Sequence, residues 1–196
     1  MRLYFIIAFI LLYAFSCYAG GETLIPDTVS HGIYLAPSMM SSQLGRNQAV
    51  GLFPGLQIGW ILNERFTIGL KTNQLWSNIE ASWIAMDVQA FMNFSYSGIF
   101  FSYTPYPRRL VHIEIYTLGG CGLAGYRTQK FGDFDNVQDG FMILEPGIVL
   151  EMNLTHFLRT GLGLSYSIVR GIQMEKLSER HFNGMNLLLL FKVGLF

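Results

Sequence analysis

Cysteine is nearly absent from this chain: there are two, Cys17 and Cys121. Charge is scarce too. Asp, Glu, Lys and Arg make up 13% of 196 residues and balance at 13 basic against 13 acidic. No basic stripe stands out, which excludes nucleic acid as a partner. The four histidines show no Cys/His/acid spacing of a metal site, so no metal or cofactor is expected. Past residue 19 no run reaches the roughly 18 uninterrupted apolar residues of a membrane-spanning helix. Yet 51% of the chain is hydrophobic and its mean hydropathy is +0.35. That combination fits a soluble exported domain poorly and a β-barrel well, because a barrel turns apolar side chains outward.

Export is read from residues 1–19. Arg2 supplies the positive start, Leu3 to Phe15 the apolar segment, and Cys17-Tyr18-Ala19 a small-x-Ala cleavage site. The alternative is lipoprotein processing at Cys17, against which Ala14-Phe15-Ser16 lacks the usual leucine. Cleavage after Ala19 removes Arg2 from the 13 basic residues, leaving 12 against 13 acidic. It also leaves Cys121 alone, so no internal disulfide forms. Residues 20–30 read as a periplasmic N-terminal segment and 31–196 as the barrel.

What fills the chain instead is alternation. From Phe157 to Ile168, Leu158, Thr160, Leu162, Leu164, Tyr166 and Ile168 fall on one face, with Arg159, Gly161, Gly163, Ser165 and Ser167 on the other. A strand alternates faces with period two, so one wall is greasy and the other small or polar. Stretches of this kind predict strands at 31–42, 48–61, 65–75, 91–103, 110–126, 140–152, 157–170 and 184–196. Connections two, four and six are short: Leu62-Asn63-Glu64, Thr104 to Arg109, and Asn153 to His156. The long ones are 76–90, 127–139 and 171–183. Short turns alternating with long loops predict an all-β, closed, antiparallel up-and-down transmembrane barrel of eight strands, with both termini periplasmic and the long loops outside. Trp60, Tyr103, Tyr106, Phe157 and Phe196 cluster near the short turns. Trp76, Trp83, Tyr126, Phe131 and Phe134 cluster near the long loops, as two interfacial girdles require.

Pro54-Gly55 to Gly69-Leu70 matches Pro146-Gly147 to Gly161-Leu162 at an offset of 92, and each in-strand proline is expected to mark a bulge. Gly120-Cys121-Gly122-Leu123-Ala124-Gly125 matches a dinucleotide fingerprint, but no helical period follows it, and the motif needs a helix N-terminus. Glycine packing in a narrow lumen is the better account. The connection at 76–90 carries Ile79, Trp83, Ile84, Met86 and Val88 among polar residues, which fits a hairpin extended above the membrane or a partner-binding tip. His112 with Glu114, and His181 with Ser178 and Glu179, are the catalytic candidates. Neither makes a scaffolded triad.

Charges on inward positions form the candidate site. Reading the turn at 153–156 as a hairpin sets Glu151 opposite Arg159. Glu114 and Lys192 fall at a similar depth, and Glu145, Lys71 and Arg65 complete the set. Isolated charges in a confined lumen are costly and paired ones are accommodated, so a plugged lumen with a structural role is expected. The competing view makes Glu114 and His112 a proton-transfer pair. Alternation back from Phe196 puts Lys192 on its face with Leu188 and Leu190. Either the last residue is out of register or the lumen face of this strand is mixed.

Gly59-Trp60-Ile61-Leu62-Asn63 followed by Phe66-Thr67-Ile68-Gly69 resembles a family of small outer-membrane β-barrel proteins of Gram-negative bacteria, of OmpA/OmpX-like eight-stranded architecture. So does Leu144-Glu145-Pro146-Gly147 continuing through Leu150-Glu151-Met152-Asn153 to Gly161-Leu162-Gly163-Leu164-Ser165-Tyr166. The resemblance covers nearly the whole mature chain. It implies the barrel and its membrane, with no activity and no functional residues attached. The expected role is therefore non-enzymatic, structural or surface-interacting through the loops. The alternatives are a lipid-modifying enzyme and a carrier or narrow channel for a small apolar molecule. Expected partners are outer-membrane lipid, the barrel-assembly machinery through the last strand and Phe196, and a surface ligand at loops 76–90, 127–139 and 171–183.

Overall fold

The computed structural model describes residues 30–45, 49–80, 90–130, 133–174 and 178–196. The leader, the segment 20–29, Trp83 with its neighbours at 81–89, and Phe131 lie outside the described residues, as does the side chain of Phe134. Eight strands run β1 His31–Leu44, β2 Ala49–Leu62, β3 Phe66–Gln74, β4 Ala90–Tyr103, β5 Val111–Lys130, β6 Asp133–Asn153, β7 Leu158–Arg170 and β8 Gly184–Leu195. Each pairs antiparallel with the next, and β8 returns to β1, with Leu35 opposite Val193 and Met40 opposite Leu188. The sheet is a closed up-and-down barrel without an edge.

Seven of the eight strands lie within a few residues of their sequence limits on both sides. The expected loop at 127–139 is the exception. Pairing continues from Tyr126 opposite Val137 to Lys130 opposite Asp133, so this connection is a hairpin prolonged past its neighbours. Tyr126, Thr128, Phe134 and Val137 are residue types that favour strands, and they outweigh the polar residues between them. The expected bulges are also absent. Pro54 pairs with Met39 and Pro146 with Thr117 in unbroken register. The ladder from β6 to β7 skips residues 145 and 146, yet keeps the same register on both sides of the gap. A proline removes one donor, and that donor would have served only one neighbouring strand.

Alternation is preserved along every strand wherever its side chains are described. Leu56, Leu70, Ile99, Leu150, Leu162, Leu164 and Leu187 point outward and are each 45–59% exposed, whereas Phe53, Leu118, Val149, Leu188 and Leu190 point inward and are buried. A continuous girdle of exposed aliphatic side chains is far larger than the apolar patches soluble monomers carry, and it is the wall a hydrocarbon surface needs. At the short-turn end that wall finishes in Trp60, Phe66, Tyr103, Tyr106 and Phe157, all exposed. The core is the lumen itself. Lumen glycines leave room for rings: a Cβ on Gly59 would lie 2.5 Å from Cε1 of Tyr34, and one on Gly147 2.5 Å from Cε1 of Tyr116. The glycines of the 120–125 motif sit inside β5, paired with β4 and β6, so no phosphate-binding turn exists there.

Candidate functional site

The lumen divides into layers. Nearest the short turns, Lys192 of β8 lies 2.6 Å from Glu114 Oε2 and 2.5 Å from Glu151 Oε1. The first contact is a hydrogen bond. The second is a charge contact outside hydrogen-bond alignment. Ser102 donates to Glu114 Oε1 at 2.5 Å. His112 Nε2 lies 3.3 Å from Glu151 Oε2, and its Nδ1 lies 3.1 Å from the Arg109 carbonyl. The register explains the meeting. His112 stands directly opposite Glu151, and Glu151 stands opposite Gly161. Between Arg159 and Val169 the inward face of β7 holds only Gly161, Gly163, Ser165 and Ser167, so the Lys192 side chain can cross it from β8 to reach β6. The Lys192 ammonium also sits 4.6 Å from the centre of the Tyr34 ring.

A second pair lies deeper. Lys71 of β3 donates to Glu145 Oε1 at 2.8 Å. Tyr96 donates to Oε2 at 2.5 Å and Tyr116 to Oε1 at 2.8 Å. Glu145 is wholly buried, and three donors compensate its desolvation. Beyond it the lumen turns apolar. Phe94 is sandwiched between Phe141 and Phe182, each 4.7 Å away centroid to centroid and nearly parallel, while Phe53 meets it edge-on at 6.0 Å. Phe182 comes from the last connection. Its segment is tied down where Gly45 N donates to the His181 carbonyl at 2.9 Å and Val169 N to Asn183 Oδ1 at 2.6 Å. The ring is 1% exposed and stoppers the lumen.

Of the sequence candidates, Glu114, Glu151 and Lys192 come together, and so do Lys71 and Glu145. Two do not join. Arg65 is exposed in the turn between β2 and β3. Arg159 is on an inward position, but it faces Asn153 and Lys192 rather than Glu151, and its guanidinium lies 3.8 Å over the Phe196 ring at the mouth. The hairpin is centred one residue further along the chain than expected, with β6 ending and β7 beginning one residue later, which shifts Glu151 onto Gly161. His112 serves Glu151 and not Glu114. Phe196 stacks at 6.2 Å on Tyr34, and the lumen face of β8 is indeed mixed, with Leu188 and Leu190 buried beside Lys192. Tyr96, Tyr116, Ser102 and Phe182 escaped sequence reading. For the first three the signal was available as polar residues on inward positions; for Phe182 there was none, because it lies outside any strand.

At the serine–histidine candidate the Ser178 hydroxyl lies 3.4 Å from Nδ1 of His181. Glu179 accepts from Arg170 at 2.6 Å and from Gly171 N at 2.8 Å. Those donors, the Gly171 N–H first, hold its carboxyl below the usual range. Nδ1 of His181 accepts from the Ser178 backbone N–H at 3.1 Å. Among the described residues no group of His, Cys, Asp or Glu could hold a metal ion.

No family model matches the chain, and no curated protein matches it. Solved structures do. Ail, the attachment invasion locus protein of Yersinia pestis, is 10% identical with a TM-score of 0.52, over 85% of this chain and 97% of that one. Neisserial surface protein A is 10% identical with a TM-score of 0.52, over 85% and 99%. The N-terminal β-barrel domain of Pseudomonas aeruginosa OprF is 9% identical with a TM-score of 0.51, over 86% and 100%. What the chain shares with them is the fold, the closed eight-stranded β-barrel of small outer-membrane proteins.

Proposed function

We propose that the protein is a non-conducting, non-enzymatic barrel of the bacterial outer membrane, with periplasmic termini, whose long connections meet a partner at the cell surface. One observation carries this reading: the lumen is filled from the ionic layer through Glu145 to Phe182, leaving the ends and the outer wall as the surfaces that act. The Glu114–Lys192–Glu151 and Lys71–Glu145 groups serve as lumen struts. The last strand and Phe196 present the chain to the barrel-assembly machinery. In planar bilayers the purified protein gives no steady conductance. Replacing 76–90, 127–139 or 171–183 by short turns abolishes surface binding while leaving a folded, heat-modifiable barrel. A large open channel in the unaltered protein, or recovery as a soluble periplasmic monomer, overturns the reading.

A second reading is favoured by the apolar layer under Phe182. There the barrel takes up a small apolar molecule in place of the phenyl ring, and extraction of the purified protein followed by mass spectrometry yields a stoichiometric hydrophobic compound. A clean extract from protein bearing Phe182→Ala removes it.

A further inference from the structure

The short-turn end carries a cationic recess that the lumen does not use. In the turn at 62–65, Asn63 and Glu64 adopt positive φ of 56° and 61°, which folds the chain back within one turn. Glu64 then reaches the next short turn and accepts from Arg108 Nε at 2.7 Å and Nη2 at 2.8 Å. Thr104 N donates to the Arg65 carbonyl at 2.8 Å, so the two turns are one unit. Between them opens a recess of about 730 Å³ lined by Asn63, Glu64, Arg65, Tyr106, Arg108 and Arg109. Three guanidinium groups share it with one carboxylate. Arg108 satisfies that carboxylate. Arg65 is exposed, and Arg109 is held 4.7 Å over the Tyr106 ring, which orients it without neutralising it.

A second feature lies on the same strands. On the outer wall, Leu56, Ile58, Leu70 and Ile99 line a groove of about 600 Å³. The two hydroxyls beside it are closed on protein, Ser97 donating to Thr72 Oγ1 at 2.9 Å and Thr72 to the Tyr96 carbonyl at 3.3 Å, so the groove is apolar in effect. Leu70 of β3 lies five residues beyond Arg65, which immediately precedes that strand. That separation is roughly 17 Å along the strand, or roughly 13 Å in depth at the usual tilt. One leaflet of hydrocarbon is about 15 Å deep.

We propose that the recess and the groove form one binding site for an anionic phospholipid, with its phosphate between Arg65 and Arg109 and an acyl chain in the groove at Leu70. The inference rests on the membrane placement proposed above, with the short turns in the phospholipid-facing leaflet. Aromatic side chains at the hydrocarbon boundary, Phe66 against Tyr103 at 5.1 Å, flank the path between the two parts. Charge complementarity selects the occupant. A zwitterionic headgroup brings its own ammonium toward Arg65 and Arg109, whereas a phosphatidylglycerol headgroup brings only the phosphate.

The test is native mass spectrometry of the full-length protein released from micelles containing equal amounts of phosphatidylglycerol and phosphatidylcholine. One phosphatidylglycerol is retained per barrel, with at least about fivefold preference, the factor for a single surface arginine. R65Q/R109Q brings the ratio to one, and R65K/R109K restores it, because charge and not fork geometry is required. L70W lowers retention of long-chain phosphatidylglycerol but not of its dihexanoyl analogue. No preference in the unaltered protein, or a preference that survives R65Q/R109Q, overturns the proposal. So does displacement of the lipid by inorganic phosphate alone at millimolar concentration, which would make the recess a simple phosphate site. Should R65Q/R109Q fail to fold, the ratio in the unaltered protein and in R65K/R109K still decides. Recovery of the protein outside the outer membrane would sink the placement and leave the measured lipid ratio as an independent result.

Discussion

The two halves of the lumen are filled on opposite principles. Toward the short turns, Glu114, Glu151, Lys192 and His112 meet at fixed distances, and every one of them is anchored on a strand. Toward the long connections, Phe53, Phe94, Phe141 and Phe182 fill space, and one of the four comes from a connection. Charges in a confined space tolerate only particular partners, since an unpaired one carries its full desolvation cost. Phenyl rings are held by area and shape, which other apolar groups can supply. The ionic half is therefore the fixed floor of the barrel, and the apolar half can change its contents without losing its logic. That difference puts adaptability at the end where the long connections emerge.

The comparison breaks most sharply at Lys192. Lys192→Met leaves two buried carboxylates facing one another, and a loss of about 3–5 kcal/mol is expected, as for other broken buried pairs. Urea unfolding in lipid vesicles measures it. Combining Lys192→Met with Glu114→Gln and Glu151→Gln removes the unpaired charge and recovers most of the loss. If the single and triple variants are equally unstable, packing and not charge holds the floor together.

Phe94 tests the other half. Phe94→Ala removes the ring that Phe53, Tyr96, Phe141 and Phe182 contact, and about 3–5 kcal/mol is expected from a buried phenylalanine. Phe182→Ala costs less, because its segment is a connection that can repack, but it unstoppers the layer. A hydrophobic dye such as an anilinonaphthalene should then gain fluorescence with Phe182→Ala and not with Lys192→Met. Equal dye binding by both variants would erase the distinction between the halves. The outer wall provides the scale. Leu164→Arg places a charge against hydrocarbon, about 2–4 kcal/mol near mid-membrane, measured by the same unfolding assay. An arginine at Ser165, one residue away, meets a packed lumen where Asn186 Nδ2 donates to Ser165 Oγ at 3.1 Å, so it too is costly, through overpacking.

Strand number, order and facing were legible because alternation is a local property. Leu162 and Leu164 outward with Ser165 inward follow from period two alone. Register was less legible, because it depends on how each hairpin turn closes. The turn after Asn153 is centred one residue later than expected, which moved Arg159 from Glu151 to Asn153, while the separate register of β5 on β6 set His112 opposite Glu151. The Lys71–Glu145 pair was readable only as two inward charges, since their strands are three apart around the wall and meet across the lumen. Phe182 was not readable at all. No periodicity marks a residue that enters the core from a connection.

The smallest expected effect sharpens the comparison by repeating the same chemistry in water. Glu64 and Arg108 form a bidentate pair as short as those in the lumen, but the Arg108 side chain is 85% exposed. Hydrogen bonds from Arg108 hold the Glu64 carboxyl below the usual carboxylate range. A carboxyl lowered on folding contributes stability that is present above its unfolded pKa and lost as pH falls through its folded one. Glu64→Gln should therefore lower the melting temperature slightly at neutral pH, and the difference should shrink as pH falls through the lowered folded pKa. The neutral-pH difference should vanish in 1 M salt, where the screening length is about 3 Å. Glu151→Gln, inside the ionic floor, should keep its effect at the same salt, because screening ions do not enter a filled lumen. If salt weakens both equally, the floor is wet, and the contrast between a sealed ionic half and an adaptable apolar half fails at its base.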